Sequence, residues 1–238
     1  MNENNSGREK RIGFLRRTAK EVRNYNVRMK IMGALLVVLL LLAIILYIVA
    51  ALYHHSGSFT VKVDKIQMTK YGLALSESRN MTYQSSHLNA KIDKDMTNIA
   101  KEWLPDNLDQ IDGEHNGDNY IAYTFYLQNA GEIEVAYEYT VTISNISHGL
   151  DEAIRISLYV DGEETTYAKT RSDGKGAEYG TTEFHSANVV AKNKIESFNA
   201  GDITRYTVVI WIEGNDPDCV DQLIGGKLKV DMMMQVVL

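Results

Sequence analysis

Cysteine is almost missing from this chain. Cys219 stands alone among 238 residues, so no intrachain disulfide can form and a disulfide-stapled secreted scaffold is excluded. Charge is also missing, but only in one place: residues 31–53, IMGALLVVLLLLAIILYIVAALY, carry none. Local signatures of catalysis are missing as well. The six histidines form no H-E-x-x-H pair, and there is neither a G-x-S-x-G elbow nor a phosphate-cradling glycine loop. No catalytic residue is assigned, the chain reads as a non-enzyme, and the one cofactor considered is calcium.

What is present begins with the uncharged run. Twenty-three residues in a helix span about 34 Å, enough to cross a hydrocarbon core of roughly 30 Å. Residues 1–30 hold nine Lys/Arg (Arg8, Lys10, Arg11, Arg16, Arg17, Lys20, Arg23, Arg28, Lys30) against Glu3, Glu9 and Glu21, a net of +6. Positive charge of this kind keeps the N-terminus in the cytoplasm and sends the C-terminal part outside. A cleaved signal peptide is the alternative, with Val49-Ala50-Ala51 as the cleavage site. Against it, the apolar run exceeds the roughly 7–15 residues of a signal core. Ile12, Leu15, Ala19 and Val22 recur at helical spacing between basic residues. They read either as an amphipathic helix on the anionic inner leaflet or as carriers of topology-setting charge.

The whole chain carries −6, so with +6 before the run and nothing within it, the remainder carries −12. A domain that acidic repels phosphate, which argues against nucleic acid as a partner. From Phe59 the apolar period becomes two, as a half-buried strand requires. Ile121, Tyr123, Phe125 and Leu127 alternate, then Ile133, Val135, Tyr137, Tyr139, Val141 and Ile143, and Asn129-Ala130-Gly131-Glu132 between them predicts a hairpin. Further strands are expected at 153–160, 182–192, 203–213 and 226–236, with a tight turn at Asp161-Gly162. Tyr206–Ile212 is apolar on both faces and reads as a central strand. A short helix near 94–103 is expected ahead of Pro105. The fold class is all-β: an antiparallel, jelly-roll-like β-sandwich preceded by one transmembrane helix. The domain layout is a basic cytoplasmic tail (1–30), the membrane helix (31–53), a juxtamembrane linker (54–58) and an extracellular sandwich (59–238).

Two loops gather carboxylates and amides, Asp112–Asn119 and Glu213–Asp221. Calcium takes six to eight oxygen ligands, so Glu213, Asp216, Asp218 and Asp221 are candidate calcium ligands. Solvated turns are the alternative, since turns favour Asp, Asn and Gly for their own geometry. Cys219, in that acidic loop, reads as an inert thiol.

Tyr123–Gly131, ending Leu-Gln-Asn-Ala-Gly, resembles a strand and turn of the camelysin and TasA-like surface proteins of Gram-positive bacteria. Phe198-Asn199-Ala200-Gly201-Asp202 is similar to their Pro-Gly-Asp loop, with Ala200 in place of Pro. The strand into Trp211, then Ile224-Gly225-Gly226 and a last strand, fits the same layout. The resemblance spans about residues 59–238. It implies a jelly-roll domain in cell-surface fibres or biofilm matrix, polymerising when an N-terminal strand completes a neighbouring subunit. Phe59, Val61 and Val63 would lie on that assembly strand. Here the strand is tied to a membrane helix, which favours a fibre base or a stand-alone surface domain. The expected partners are the lipid bilayer and, by strand addition, other copies or other surface proteins. The expected role is structural or adhesive at the cell surface. An ion- or ligand-sensing ectodomain and an exported metal-dependent hydrolase are the alternatives.

Overall fold

A computed structural model describes residues 19–54, 58–91 and 95–237, and the chain divides into two units at His54/His55. In the first, Ala19–His54 form one unbroken 36-residue helix, α1. The segment AKEVRNYNVRMK ahead of the apolar run contains no Gly or Pro, so helix continues through it and starts well before residue 31. Val27–Val49 is long and apolar enough to cross a membrane. Leu36, Val38 and Leu40 are each more than 60% exposed; a helix apolar on every side needs an apolar environment around it. Ile12 and Leu15, the first half of the expected surface helix, lie outside the described residues, as do juxtamembrane residues 55–57.

The second unit is a sandwich of two sheets. Its strands are β1 (Ser58–Val63), β2 (Leu73–Ser76), β3 (His87–Lys91), β4 (Gly113–Glu114), β5 (Tyr120–Asn129), β6 (Val135–Ile146), β7 (Ile154–Val160), β8 (Glu163–Ala168), β9 (Thr182–Glu183), β10 (Val189–Phe198), β11 (Ile203–Ile212) and β12 (Leu228–Val237). One sheet has the order β10-β6-β12-β1-β3. The other runs β2-β5-β11-β7-β8-β9, with β4 also paired to β5. Most pairings are antiparallel as expected, but β1 runs parallel to β12 and β8 to β9, so both sheets are mixed.

Between the sheets lies an aromatic core. Phe125 stacks on Tyr206 at 5.4 Å, Tyr139 meets Tyr206 edge-on at 5.6 Å, and Tyr137 packs against Phe198 at 5.0 Å. The Tyr137 and Tyr206 hydroxyls bond each other at 2.6 Å, so the polar tip of each buried ring is satisfied. A second cluster, Leu108, Ala122, Val209 and Trp211 with Ile99, Leu104, Tyr120 and Tyr159, covers the outer face of the β5–β11 sheet. This explains why the run Tyr206–Ile212 is apolar on both sides, and β11 is indeed central, between β5 and β7.

Three expectations need correction. Asn129–Glu132 is not a hairpin: β5 pairs with β2, β4 and β11, whereas β6 pairs with β10 and β12, so the loop crosses between sheets. The buried Asn129 amide holds that crossing, donating to Ile133 O and Phe198 O at 2.8 Å each and accepting from Gly131 N. Ile133 consequently stays 59% exposed ahead of β6. Within 94–103, the described residues form no α-helix but a bridge from Ile99 to Glu213 and a 3-10 turn, Lys101–Trp103. A helix appears instead at Lys65–Tyr71, α2, capped by the Asp64 carboxylate on Ile66 N and Gln67 N and closed by Gly72 at φ 74°. Asp64 and Gly72 are the start and stop signals that would have located it. The strand expected at 182–192 is β9 followed, after a turn, by β10.

Candidate functional site

The loop after β11 carries the four expected cation ligands, and the structure separates them. Glu213 turns inward, accepting from Trp211 Nε1 at 3.0 Å, Lys101 N at 3.2 Å and Asn215 N at 3.1 Å. It fixes the buried tryptophan and the covering segment rather than facing outward. Asp221 is exposed and begins a 3-10 turn, Asp221–Leu223, whose Leu223 is buried. Asp216 and Asp218 do come together, joined by Glu178, with one carboxylate oxygen from each within 4.8 Å of the others. Glu178 lies far away in sequence, so no local spacing announces it.

All three acids already have partners, Glu178 through Arg171 Nε at 3.8 Å from its Oε1. The Asp216 side chain is fully buried and its Oδ2 lies 2.5 Å from Arg155 Nη2, on a guanidinium only 6% exposed. Asp216 Oδ1 accepts Asp218 N at 2.8 Å, and Asp218 Oδ1 accepts from Ser172 Oγ at 2.8 Å. A calcium ion needs oxygens at about 2.3–2.6 Å, so it would compete with Arg155 for Asp216. The arrangement works first as a buried ion pair that ties the loop to β7. Cys219 Sγ, half-buried, accepts from Asn98 Nδ2 at 3.3 Å.

The other acidic loop is likewise committed inward. Asp112 accepts from Tyr126 Oη at 2.6 Å, and burial together with that carboxylate pushes the phenol up to about 12. Asn116 and Asn119 bond Ala122 N and Thr97. Tyr123 donates to Glu77, and burial first, then that carboxylate, raise its phenol far above the ordinary value.

One polar cluster brings a serine to a lysine. Ser157 Oγ bonds Glu164 Oε1 at 2.7 Å and Thr166 Oγ1 at 2.8 Å, and Lys101 Nζ reaches Thr166 Oγ1 at 2.8 Å and Glu164 Oε1 at 2.9 Å. Burial opposes the Glu164 charge, but hydrogen bonds from Ser157, Lys101 and Thr166 outweigh it and hold the group below the usual carboxylate range. Ser157 is 1% exposed, and its hydroxyl donates into a closed ring of partners. A nucleophile needs an open approach and a base free to take its proton; this ring is instead a structural tie between β7, β8 and the covering segment.

The strand registers place a surface that the sequence did not announce. β1 and β12 run parallel, Phe59 opposite Val230 and Val63 opposite Met234. Val237 pairs with Ala136, and Ile203 with Gln128. The end of the sandwich opposite Ser58 is therefore built from α2, the β5–β6 crossing and the β10–β11 loop. Gly131 packs on Gly72 there, and Asn129 N bonds Asp202 O at 3.0 Å. This end exposes Ile66 (74%), Ile133 (59%) and Ile203 (36%), three β-branched apolar side chains facing solvent. Phe59, Val61 and Val63, the expected assembly strand, are buried in their own chain, between β3 and β12.

No family model and no curated protein matches the chain. Among solved structures, the chain is similar to a beta-glucosidase from Kluyveromyces marxianus in complex with glucose, at 8% identity over 75% of this chain with a TM-score of 0.23. It spans 17% of that enzyme's length. A structure of the N-terminal domain of PorA matches at 7% identity over 52% of this chain and 81% of that one, with a TM-score of 0.21.

Proposed function

We propose that this chain is a membrane-anchored surface protein of a Gram-positive cell, acting by contact rather than catalysis. In this reading α1 is retained in the bilayer, the basic tail stays in the cytoplasm and the sandwich stands outside. The observation that carries it is the charge order along the chain: nine basic residues, an uncharged 23-residue run, then a domain of net −12. Basic residues flanking an apolar helix remain on the cytoplasmic side. The resemblance of residues 59–238 to camelysin and TasA-like surface proteins supports the same placement and a structural, adhesive or matrix role. The contact surface is the end opposite Ser58, where Ile66, Ile133 and Ile203 are exposed. Strand donation by β1 is a less economical route, since it would withdraw Phe59, Val61 and Val63 from the core at about 1.5–3 kcal/mol each.

Orientation is tested by labelling. Tyr179 is fully exposed, so Tyr179→Cys in a Cys219→Ser background offers one accessible thiol. A membrane-impermeant maleimide should label it on intact cells. Labelling only after permeabilisation would reverse the topology and end this reading.

A further inference from the structure

We propose that β1 and β12 form a shear clamp, making the sandwich a load-bearing link between the membrane helix and the opposite end of the domain. The inference deepens the anchored-contact reading by adding force to it, and it rests on how two strands are laid.

β1 is the first strand after α1, with only residues 55–57 between them. Any tension transmitted through the helix enters the sandwich at Ser58. β12 ends at Val237, at the end where Ile66, Ile133 and Ile203 are exposed. The two strands are parallel neighbours over five pairs, Phe59↔Val230 to Val63↔Met234. Tension between Ser58 and Val237 therefore draws them in opposite directions along their length. The ladder bonds of a parallel pair are slanted but evenly spaced and all bridge the two strands, so sliding one strand along the other strains them together. Had the strands been antiparallel, the same tension would open the ladder from one end, one bond at a time.

Three further features resist withdrawal of β1. Its other edge is paired to β3 over five more residues, Ser58↔Lys91 to Lys62↔His87. Its inward side chains Phe59, Val61 and Val63 are at most 3% exposed, so sliding the strand drags them out of the core. The far end of β12 is pinned to α2 by Gln67 Oε1, which accepts Val236 N at 2.7 Å. β12 itself is bonded to β6 over ten pairs, so β1 is the element that yields first. Lys62 Nζ lies 4.0 Å from Asp231 Oδ1 across the clamp, a partly exposed pair that adds little.

The test is force spectroscopy on the full chain in detergent micelles, with peptide-tag handles in two geometries. Handles at residues 57 and 238 load the clamp in shear. Handles at Gly149 and Gly174, both with open space around them, pull apart the open end of the β7–β8 hairpin and peel it. At equal loading rate the rupture force between 57 and 238 should be severalfold higher than between 149 and 174. Equal or lower resistance in the shear geometry would overturn the proposal. Val61→Ala should lower the 57–238 rupture force and leave the 149–174 force unchanged; an equal drop in both would mean that β1 is no local clamp. Pulling reads strand geometry directly, so its outcome is independent of whether the labelling experiment finds the domain outside the cell.

Discussion

Asp216→Ala removes a carboxylate that is fully buried and leaves Arg155, 6% exposed, without its counter-ion. The lost contact is short, 2.5 Å, and among the described residues the guanidinium keeps a bond from Nη1 to Ile154 O at 3.2 Å. Removing one partner of a buried pair costs about 3–5 kcal/mol, most of it the burden of the orphaned charge. The hydrogen bond from Asp218 N is lost too, adding about 1 kcal/mol. For a domain of this size each kcal/mol moves the midpoint by about 2–4 °C, so the midpoint of thermal unfolding followed by circular dichroism should fall by about 8–24 °C. The double variant Arg155→Met/Asp216→Leu removes both charges and should recover most of the loss, because apolar replacement of a buried pair is often neutral or better. Melting of Asp216→Ala within about 2 °C of the parent, or a double variant no better than the single one, would show that the pair does not hold the loop in this way.

Gly131→Ala places a Cβ 2.3 Å from the Tyr71 carbonyl oxygen, so backbone must move at the sheet crossing. A loss of about 2–4 kcal/mol in denaturant titration is expected, against about 1–2 kcal/mol for Gly149→Ala, which has open space but a φ of +69°. Alkali should also destabilise the domain. Burial raises the phenols of Tyr123, Tyr159 and Tyr206, and moves Tyr126 from 10.0 to about 12. A folded-state value above the unfolded one contributes stability in full below about pH 10 and loses it as pH rises toward 12. Melting midpoints should therefore fall progressively over that window, and a flat profile to pH 12 would contradict the placement of these rings.

How much of this was legible depended on whether the signal was local. β6 shows its burial in its letters: Val135, Tyr137, Tyr139, Val141 and Ile143 are buried while Ala136, Glu138, Thr140 and Thr142 are not. The Asp161-Gly162 turn is equally direct, with φ of 50° and 94°, a combination that requires residues tolerant of positive φ. The candidate cation group was only half legible, since Glu178 joins Asp216 and Asp218 through tertiary structure alone, and Glu213 is captured by Trp211 Nε1.

Strand partners follow a different logic, and the β5–β6 loop shows it. Its Asn-Ala-Gly suits a hairpin, yet the strands on either side differ in kind. β5 is buried on both faces from Ile121 to Leu127, which requires a covering layer on each side of its sheet. β6 alternates strictly, which requires only one. Two strands of one hairpin share both faces of one sheet, so such unlike burial already argues that they part company. The same comparison could not have paired β1 with β12. Both alternate apolar and polar letters, Thr60 on the second face of β1 is buried as well, and parallel neighbours so distant in sequence leave no turn to read. That pairing is set by how the whole sandwich closes, and it is the feature on which the mechanical behaviour of the domain depends.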